Sequence, residues 1–395
     1  MRKIILFLIF LTSLGSCGLE SVGVSPHSNP DGIWKSPLLD RYNPETCYAT
    51  GYDYPSGYDW KSYSGDGLAV ISLVMFADGV PVLRIPVGEK TFVSDDPYGH
   101  RIIKGHLYTD WSGSGMTVVK KDGKEMFRYE GEESVADMDL HEGRVHQLSL
   151  HSGGQGFSYR VDGEEVLARE EGHLLGQFRQ DDGDLCFFFS QPMLTSDGRK
   201  DAYYMVRNGK VGRLETGTES LVVRDITISD GDTVLMVSSA GDEVPILIWN
   251  GQRISMESKF TGEMISCSFL DSEELCARLR LRNTTVSDMI IDVLWAGQTD
   301  WKIFGIMELV SAVYVDGNGY SVAVNPSSGG QGSIFRNGQK FRMPEGYSVY
   351  MERCMTCRDS SLFVALSSGT GRKPVIWKNG SLDTLDINGP LTCLQ

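Results

Sequence analysis

The feature that most constrains the fold of this chain is a two-residue pair, usually Asp-Gly or Asn-Gly, that returns at nearly constant spacing. Such a pair between two apolar runs predicts a tight hairpin turn, because a type I′ turn needs positive φ at both central residues. Successive glycines of these pairs lie 44, 40, 46, 42, 46, 41 and 42 residues apart. The pairs are Asp78-Gly79, Asp122-Gly123, Asp162-Gly163, Asn208-Gly209, Asn250-Gly251, Ala296-Gly297, Asn337-Gly338 and Asn379-Gly380. Ala296-Gly297 is the weakest of them, since alanine disfavours positive φ.

Each repeated unit contains four short strands. In the clearest unit, residues 224–258, we predict strands at residues 225–229, 233–238, 245–249 and 252–257. Four strands in a period of about 40–45 residues is the pattern of a β-propeller blade, and the chain resembles the β-propeller superfamily in this respect. The prediction is an all-β fold, a β-propeller of eight four-stranded blades over residues 46–395. Seven blades is the alternative, because the first strands are difficult to place before residue 100.

Several predicted strands are continuous apolar runs instead of alternating ones, for example residues 186–189, 234–237 and 362–366. A sheet covered on one face should alternate, whereas a sheet packed between two neighbours is apolar on both faces. Propeller blades are packed in this way. One large sandwich or barrel is the other reading, but it gives no reason for the regular repeat.

The N-terminus has the composition of an export signal. Arg2 and Lys3 precede an apolar stretch at residues 4–11 that is too short to span a bilayer. The sequence Leu-Gly-Ser-Cys that ends at Cys17 resembles the lipobox of bacterial lipoproteins. This resemblance implies a signal peptide at residues 1–16, lipid attachment at Cys17, and a lipid-anchored protein of the bacterial envelope that faces the periplasm or the exterior. An ordinary secretory signal and a chance cysteine are the alternatives.

Residues 17–45 are rich in Ser, Gly, Pro and Asn and show no periodicity. We predict that they form a flexible tether between the membrane and the propeller. The formal net charge of the chain is −15, so non-specific attraction to nucleic acid is not expected. The predicted partners are the membrane, through Cys17, and an unknown glycan or protein.

The sequence contains no motif for a nucleotide, a dinucleotide or a catalytic metal. We therefore expect no cofactor and no metal, and the catalytic residues, if there are any, stay unassigned. Trp249, Trp295 and Trp377 end predicted third strands and are expected to lie in the core between blades.

Topology predicts which face of a propeller binds ligands. The first-to-second and third-to-fourth turns share one face, which we call the tight-turn face; the longer loops share the opposite face, which we call the loop face. Binding residues concentrate in long loops on a rigid scaffold. The candidates on the loop face are Asp110 and Trp111, predicted at the start of a loop at residues 110–115, and Gln155 and Gln331, from two copies of Ser-Gly-Gly-Gln-Gly.

Eight cysteines are present, and two of them lie where the two ends of a closed ring should meet. Cys47 is near the start of the first blade and Cys393 is near the C-terminus. In a compartment that permits disulfides, they are candidates for a bond that would close the ring, and buried thiols are the alternative.

Two functions remain open at this stage. The preferred one is a non-catalytic binding or scaffold module for a glycan, a peptide or a partner protein. The alternative is a carbohydrate-active hydrolase or lyase with carboxylates on the loop face.

Overall fold

The structure is a computed structural model, and every regular element that it describes is a β-strand. It describes residues 33–39, 42–54, 70–89, 99–151, 156–181, 183–195, 198–214, 222–229, 232–238, 246–249, 252–255, 263–271, 276–282, 290–296, 299–303, 308–315, 318–325, 331–341, 344–349, 354–358, 361–368, 373–378 and 380–395. In this part of the chain, no helix is long and apolar enough to cross a membrane.

The described strands form eight antiparallel sheets, numbered here in chain order. Sheet 1 combines both ends of the chain: β1 (Trp34–Lys35), β2 (Tyr48–Asp53), β3 (Val70–Ala77), β4 (Val80–Glu89) and β34 (Leu391–Leu394), in the order β1-β4-β3-β2-β34. Sheet 2 contains β5 (Gly99–Ile103), β6 (His106–Gly113), β7 (Met116–Lys121) and β8 (Lys124–Glu130). Sheet 3 contains β9 (Glu133–His141), β10 (Arg144–His151), β11 (Phe157–Val161) and β12 (Glu164–Arg169). Sheet 4 contains β13 (His173–Asp181), β14 (Asp184–Thr195), β15 (Gly198–Arg207) and β16 (Lys210–Arg213).

The second half of the chain continues the same pattern. Sheet 5 contains β17 (Val222–Ser229), β18 (Asp232–Ser238), β19 (Ile246–Trp249) and β20 (Gln252–Ser255). Sheet 6 contains β21 (Glu263–Asp271), β22 (Cys276–Arg282), β23 (Ile290–Ala296) and β24 (Thr299–Ile303). Sheet 7 contains β25 (Glu308–Val315), β26 (Asn318–Asn325), β27 (Gln331–Arg336) and β28 (Gln339–Lys340). Sheet 8 contains β29 (Tyr347–Ser348), β30 (Met355–Arg358), β31 (Ser361–Ser368), β32 (Val375–Lys378) and β33 (Ser381–Thr384), with β29 and β30 both paired to β31.

Adjacent sheets touch through their inner strands, and these contacts run in a ring. β5 contacts β9, β9 contacts β13, and the series continues through β17, β21 and β25 to β30; β34 then lies between β31 and β5. This arrangement is a β-propeller, and the predicted all-β propeller fold is confirmed. Seven sheets are each built from one continuous stretch of chain, and sheet 1 joins the two ends. The uniform four-stranded prediction is wrong for sheets 1 and 8, which have five strands each.

The apolar run at residues 186–189 shows how the sheets pack. Phe187 and Phe189 point into a cluster shared with sheet 3, where the Phe157 and Phe189 rings lie 5.1 Å apart. Cys186 and Phe188 point the other way, into a cluster shared with sheet 5. Because successive side chains of a strand alternate between faces, a sheet packed on both sides must be apolar at every position. The prediction from continuous apolar runs is confirmed here.

The repeated turn has the predicted backbone and a second role that the sequence analysis missed. Asp78, Asp122, Asp162, Asn208 and Asn337 have φ between 46° and 50°, and the glycine after each also has positive φ. The side-chain Oδ1 of each accepts a hydrogen bond from a backbone N–H at the start of the second strand of its own sheet, at 2.9–3.0 Å. The backbone N–H of each donates to the carbonyl of that same residue. The turn therefore needs Asp or Asn as an acceptor as well as for its backbone conformation.

The glycine of the turn packs against the outer strand of the preceding sheet. A Cβ built on Gly123 would lie 2.8 Å from Ile33 Cδ1, and one built on Gly163 would lie 2.9 Å from Phe127 Cδ2. No side chain fits at these positions without movement of the neighbour. The pair thus fixes the second strand of its own sheet and the spacing to the preceding sheet.

The ring is closed by strands from both termini. β34 pairs with β2 in the register Ala49↔Leu394 and Thr50↔Cys393, and Tyr48 and Gln395 exchange two backbone hydrogen bonds of 2.9 Å. Leu391 and Leu394 join the buried cluster that contains Ala49. A ring closed in this way leaves no unpaired strand edge between its first and last sheets.

The predicted disulfide between Cys47 and Cys393 is not formed in the structure, in which both residues are buried thiols. Cys393 lies opposite Thr50, and opposite residues of an antiparallel pair point to the same face. Cys47 is three positions before Thr50, so its side chain points to the other face, where it joins the cluster of Ala49. The two sulfurs therefore lie on opposite sides of sheet 1.

The predicted flexible tether at residues 17–45 is too long at its C-terminal end. β1 pairs with β4 in the register Trp34↔Arg84, and Ile33 and Leu39 are buried at 8% and 4% exposure. β1 covers the outer edge of sheet 1, which would otherwise be exposed. A two-residue strand is too short to show a periodicity in the sequence, which is why the prediction missed it.

Candidate functional site

The predicted loop at residues 110–115 is wrong, because Asp110 and Trp111 lie within β6. Asp110 is paired with Val119 and Trp111 with Val118. The hairpin closes only at Ser114 and Gly115, whose φ values of 55° and 77° belong to a two-residue turn. Adjacent residues of a strand point to opposite faces, so Asp110 and Trp111 do not form one binding surface.

Asp110 belongs to a buried charge cluster that joins three sheets. Its Oδ1 lies 3.8 Å from Arg101 Nη1, and Arg101 Nε lies 3.3 Å from Asp137 Oδ1. Asp137 Oδ2 accepts a hydrogen bond of 2.7 Å from the backbone N–H of Phe178 in sheet 4. The Asp110 side chain is only 7% exposed. Asp110 is therefore placed to hold sheets together. It is not in the exposed loop position expected of a ligand-binding residue.

The other predicted residues are less well defined. Trp111 is half-buried, and Gly113 leaves room for its ring, since a Cβ there would lie 2.9 Å from Trp111 Cζ2. Gln331 is the first residue of β27, where it pairs with Asn325. Gln155 and Cys17 lie outside the described residues.

Two of the cavities lined by described residues lie on the tight-turn face, one on each side of β32. The first, which we call the aromatic cavity, has a volume of about 190 Å³ and lies between sheets 7 and 8. The second, which we call the polar cavity, has a volume of about 360 Å³ and lies between sheets 8 and 1. Because side chains alternate along β32, Trp377 faces the aromatic cavity, and Ile376 and Lys378 face the polar cavity.

Three aromatic side chains dominate the aromatic cavity. The Phe341 and Trp377 rings meet edge to face, with centroids 5.4 Å apart and an interplanar angle of 61°. The Arg336 guanidinium lies 5.7 Å from the centre of the Tyr320 ring. The lining residues are Tyr320, Arg336, Phe341, Leu362, Trp377 and Gly380. Trp377 is 8% exposed, so its predicted core position agrees with the structure, although its ring also forms a wall of this cavity.

The polar cavity carries three carboxylates and one amine, from Glu45, Asp78, Asp383 and Lys378. Lys378 Nζ is held 4.8 Å from the centre of the Phe363 ring. Asp78 Oδ1 accepts the Cys47 backbone N–H and is therefore part of the repeated turn. This cavity marks the seam at which the ring closes.

Elsewhere on the tight-turn face, basic side chains meet carboxylates. His106 Nδ1 lies 2.9 Å from Asp122 Oδ2, Arg144 Nε lies 2.8 Å from Asp162 Oδ2, and Arg207 Nη1 lies 3.1 Å from Asp184 Oδ2. Burial opposes ionisation of Asp122, but hydrogen bonds from His106 and the Leu107 backbone outweigh it and lower the pKa of this carboxyl. A carboxylate that contacts a basic side chain is thus common near these turns.

Sequence reasoning looked for the site on the loop face and missed these cavities. The walls of the aromatic cavity come from residues 320 to 380, on two sheets, so no short motif contains them. The available signal was the aromatic residues near the turns of sheets 7 and 8, in particular Tyr320 and Phe341.

No protein-family model matches this chain, and no curated protein matches it. Among solved structures, it is similar to the β-propeller domain of the trilobed protease from Pyrococcus furiosus, at 8% identity and a TM-score of 0.42, over 70% of this chain and 88% of that one. It is also similar to the acylaminoacyl peptidase of Pyrococcus horikoshii (9% identity, TM-score 0.44, 82% of this chain and 57% of that one). A third match is Porphyromonas gingivalis dipeptidyl peptidase 4, at 8% identity and a TM-score of 0.45, over 80% of this chain and 56% of that one. The chain spans little more than half of these two peptidases, and identities this low carry no information about activity.

Proposed function

We propose that the protein is a non-catalytic binding module that receives a glycan, a peptide or a partner protein on its tight-turn face. The observation that carries this proposal is the aromatic cavity. Ligand sites are concave, mostly apolar and lined by aromatic side chains, with a few polar groups that fix orientation. Tyr320, Phe341 and Trp377 supply the aromatic walls, and Arg336 supplies the polar group.

The chemistry of the aromatic cavity favours binding over catalysis. Its described lining contains no carboxylate or histidine, and Tyr320 is its one side chain that could act as a nucleophile or a general acid. General acid–base catalysis needs a titratable group within hydrogen-bond reach of the reacting atoms. A hydrolase or lyase would therefore have to place its carboxylates elsewhere, and the binding function needs only the groups that are present.

Truncation of Tyr320 tests this function. Arrays of immobilised oligosaccharides and peptides are probed with the wild-type protein and with Tyr320→Ala, and every bound member is then titrated in solution. We expect Tyr320→Ala to weaken binding by at least about 10-fold, because buried aromatic anchors contribute on the order of 2 kcal/mol or more.

The matched control is Tyr204→Ala, which removes a half-buried tyrosine stacked on Phe189 in sheet 4, away from the cavity. It should leave binding unchanged. Equal affinity of Tyr320→Ala and the wild type for every ligand found would contradict the proposal. Recovery of a bound oligosaccharide as cleaved product would instead support the hydrolase or lyase alternative.

We also propose that the protein is anchored to a bacterial envelope membrane through lipid on Cys17. The lipobox-like sequence that ends at Cys17 supports this proposal. With Cys17→Ser, we expect the protein to leave the detergent-extracted membrane fraction and to lose incorporation of labelled fatty acid. The control Ser21→Ala should stay in the membrane fraction. Retention of Cys17→Ser in that fraction would show that lipid on Cys17 is not the anchor.

A further inference from the structure

Two sheets of the propeller carry the same three residues at the end of their third strands. They are Arg207-Asn208-Gly209 in sheet 4 and Arg336-Asn337-Gly338 in sheet 7. Both asparagines hold the second strand in the same way, through the backbone N–H of Leu185 or of Gly319, at 2.9 Å. The repeat therefore provides an internal comparison of the two arginines in one backbone setting.

In sheet 4 the positive charge of Arg207 is balanced by a carboxylate. Arg207 Nη1 donates to Asp184 Oδ2 at 3.1 Å, and Asn208 Nδ2 donates to Asp184 Oδ1. The hydrogen bonds from Asn208 and Arg207 lower the pKa of Asp184, so this carboxyl is ionised near neutral pH. The positive and negative charges of this turn cancel.

In sheet 7 the carboxylate is replaced by an amide. Asn318 occupies the position of Asp184, and its Oδ1 accepts hydrogen bonds from Arg336 Nε at 3.2 Å, Arg336 Nη2 at 3.1 Å and Asn337 Nδ2 at 3.0 Å. The arginine is held in the same way, but its partner carries no charge. Among the described residues, no carboxylate lies within ion-pair distance of Arg336.

Arg336 also lines the aromatic cavity. The position of Tyr320 corresponds to Cys186 in sheet 4, so sheet 7 combines an aromatic wall with an arginine that has no carboxylate partner among the described residues. A guanidinium is a planar donor that matches a carboxylate in a bidentate pair. The cavity thus offers flat apolar walls for a ring and a positive charge at its edge.

We propose that the aromatic cavity binds an acidic saccharide, with its ring against the aromatic walls and its carboxylate on Arg336. This inference rests on the proposed binding function and names its ligand class. A saccharide fits better than an aliphatic peptide anchor, because three of the four apolar side chains that line the cavity are aromatic. The turn at Gly380 leaves the cavity open, since a Cβ there would meet no atom within 4 Å, and a longer glycan can continue past it.

The net charge of −15 determines how long an acidic ligand used in a test should be. It repels a long polyanion, whereas a contact between two ions is shorter than the Debye length of about 8 Å at physiological ionic strength. Short acidic oligomers are therefore the appropriate ligands for a test.

The experiment compares trigalacturonic acid with the neutral trisaccharide galactotriose by isothermal titration calorimetry. For the wild type, we expect the acidic trisaccharide to bind at least about 10-fold more tightly. The decisive variant is Asn318→Asp, which introduces the carboxylate found in sheet 4 and should remove the preference without removing Arg336. Arg336→Gln should also remove it, and the matched control Arg207→Gln should leave it intact. Thermal unfolding checks that each variant is folded.

The outcomes separate this inference from the binding function itself. Equal affinity for the two trisaccharides, or a preference that survives Asn318→Asp, overturns the inference. Binding of a peptide with a free C-terminal carboxylate in place of either trisaccharide overturns the saccharide assignment. If only the neutral trisaccharide binds and Tyr320→Ala weakens it, the binding function stands without the acidic ligand. If no array member shows binding that depends on Tyr320, the binding function itself is wrong.

Discussion

Glu133→Ala is expected to lower the free energy of unfolding by about 3 kcal/mol or more, because it leaves a buried guanidinium without its main partner. Glu133 Oε1 accepts from Arg160 Nη2 at 2.9 Å, and Oε2 accepts from Ser158 Oγ at 2.6 Å. The two charged side chains are only 11% and 10% exposed. The Arg160 guanidinium also lies 4.0 Å from the centre of the Tyr129 ring in sheet 2, so this charge sits between two sheets.

The control is the second carboxylate on the same arginine. Glu165 Oε2 lies 3.2 Å from Arg160 Nη2, but its side chain is 49% exposed. Glu165→Ala should therefore cost less than about 1 kcal/mol. Urea unfolding at neutral pH measures both variants. Equal losses for Glu133→Ala and Glu165→Ala would show that burial of the Glu133 pair has no energetic weight.

The same pair predicts a pH dependence. Burial opposes ionisation of Glu133, but hydrogen bonds from Arg160 and Ser158 outweigh it, and the pKa of Glu133 in the folded protein is lowered. A carboxyl with a lowered folded pKa stabilises the protein above its unfolded pKa of about 4.3, and this stability is lost as the pH falls through the folded value. The difference between the wild type and Glu133→Ala should therefore shrink when unfolding is repeated below about pH 4.

Gly163→Ala is expected to destabilise the protein by about 3 kcal/mol, from two separate causes. Gly163 has a φ of 84°, which costs an alanine about 1–2 kcal/mol. The new Cβ would also lie 2.9 Å from Phe127 Cδ2 in the preceding sheet, and relief of such a clash costs about 1–3 kcal/mol. Chemical denaturation followed by tryptophan fluorescence measures the total.

Gly143→Ala separates the two causes. Gly143 has a similar φ of 78°, but a Cβ there would meet nothing within 4 Å. Only the backbone cost of about 1–2 kcal/mol should appear. If the two variants were equally destabilised, the contact between the turn glycine and the preceding sheet would have no part in setting the spacing of the sheets.

The repeat was predictable because its turn residues act locally. Positive φ at Asp162 and Gly163 is a property of two adjacent residues, and the sequence shows both directly. The acceptor role of the Asp162 side chain was missed, because its partner, the N–H of Val145, is 17 residues away in the chain. The contact of Gly163 with Phe127 was missed for the same reason.

The candidate site was harder to predict, because its parts are distant in sequence. The loop prediction for Asp110 and Trp111 failed because β6 continues to Gly113, and a polar run with two glycines resembles a loop. The aromatic cavity depends on how sheets 7 and 8 face each other. The different partners of Arg336 and Arg207, Asn318 and Asp184, belong to first-to-second-strand turns 18 and 23 residues away in the sequence, so no short motif contains them.

The pairing of β34 with β2 also sets the order in which the molecule can be completed. Most of the sheets are series of hairpins whose strands follow one another closely, and each can form soon after its own segment has been synthesised. Sheet 1 cannot, because Leu394 and its partner Ala49 lie 345 residues apart in the sequence (394 − 49). Contacts between such distant residues are slow to form. Until they form, the edge of β2 is exposed and can pair with another chain. The growing protein therefore carries an aggregation hazard that ends only when β34 has paired with β2.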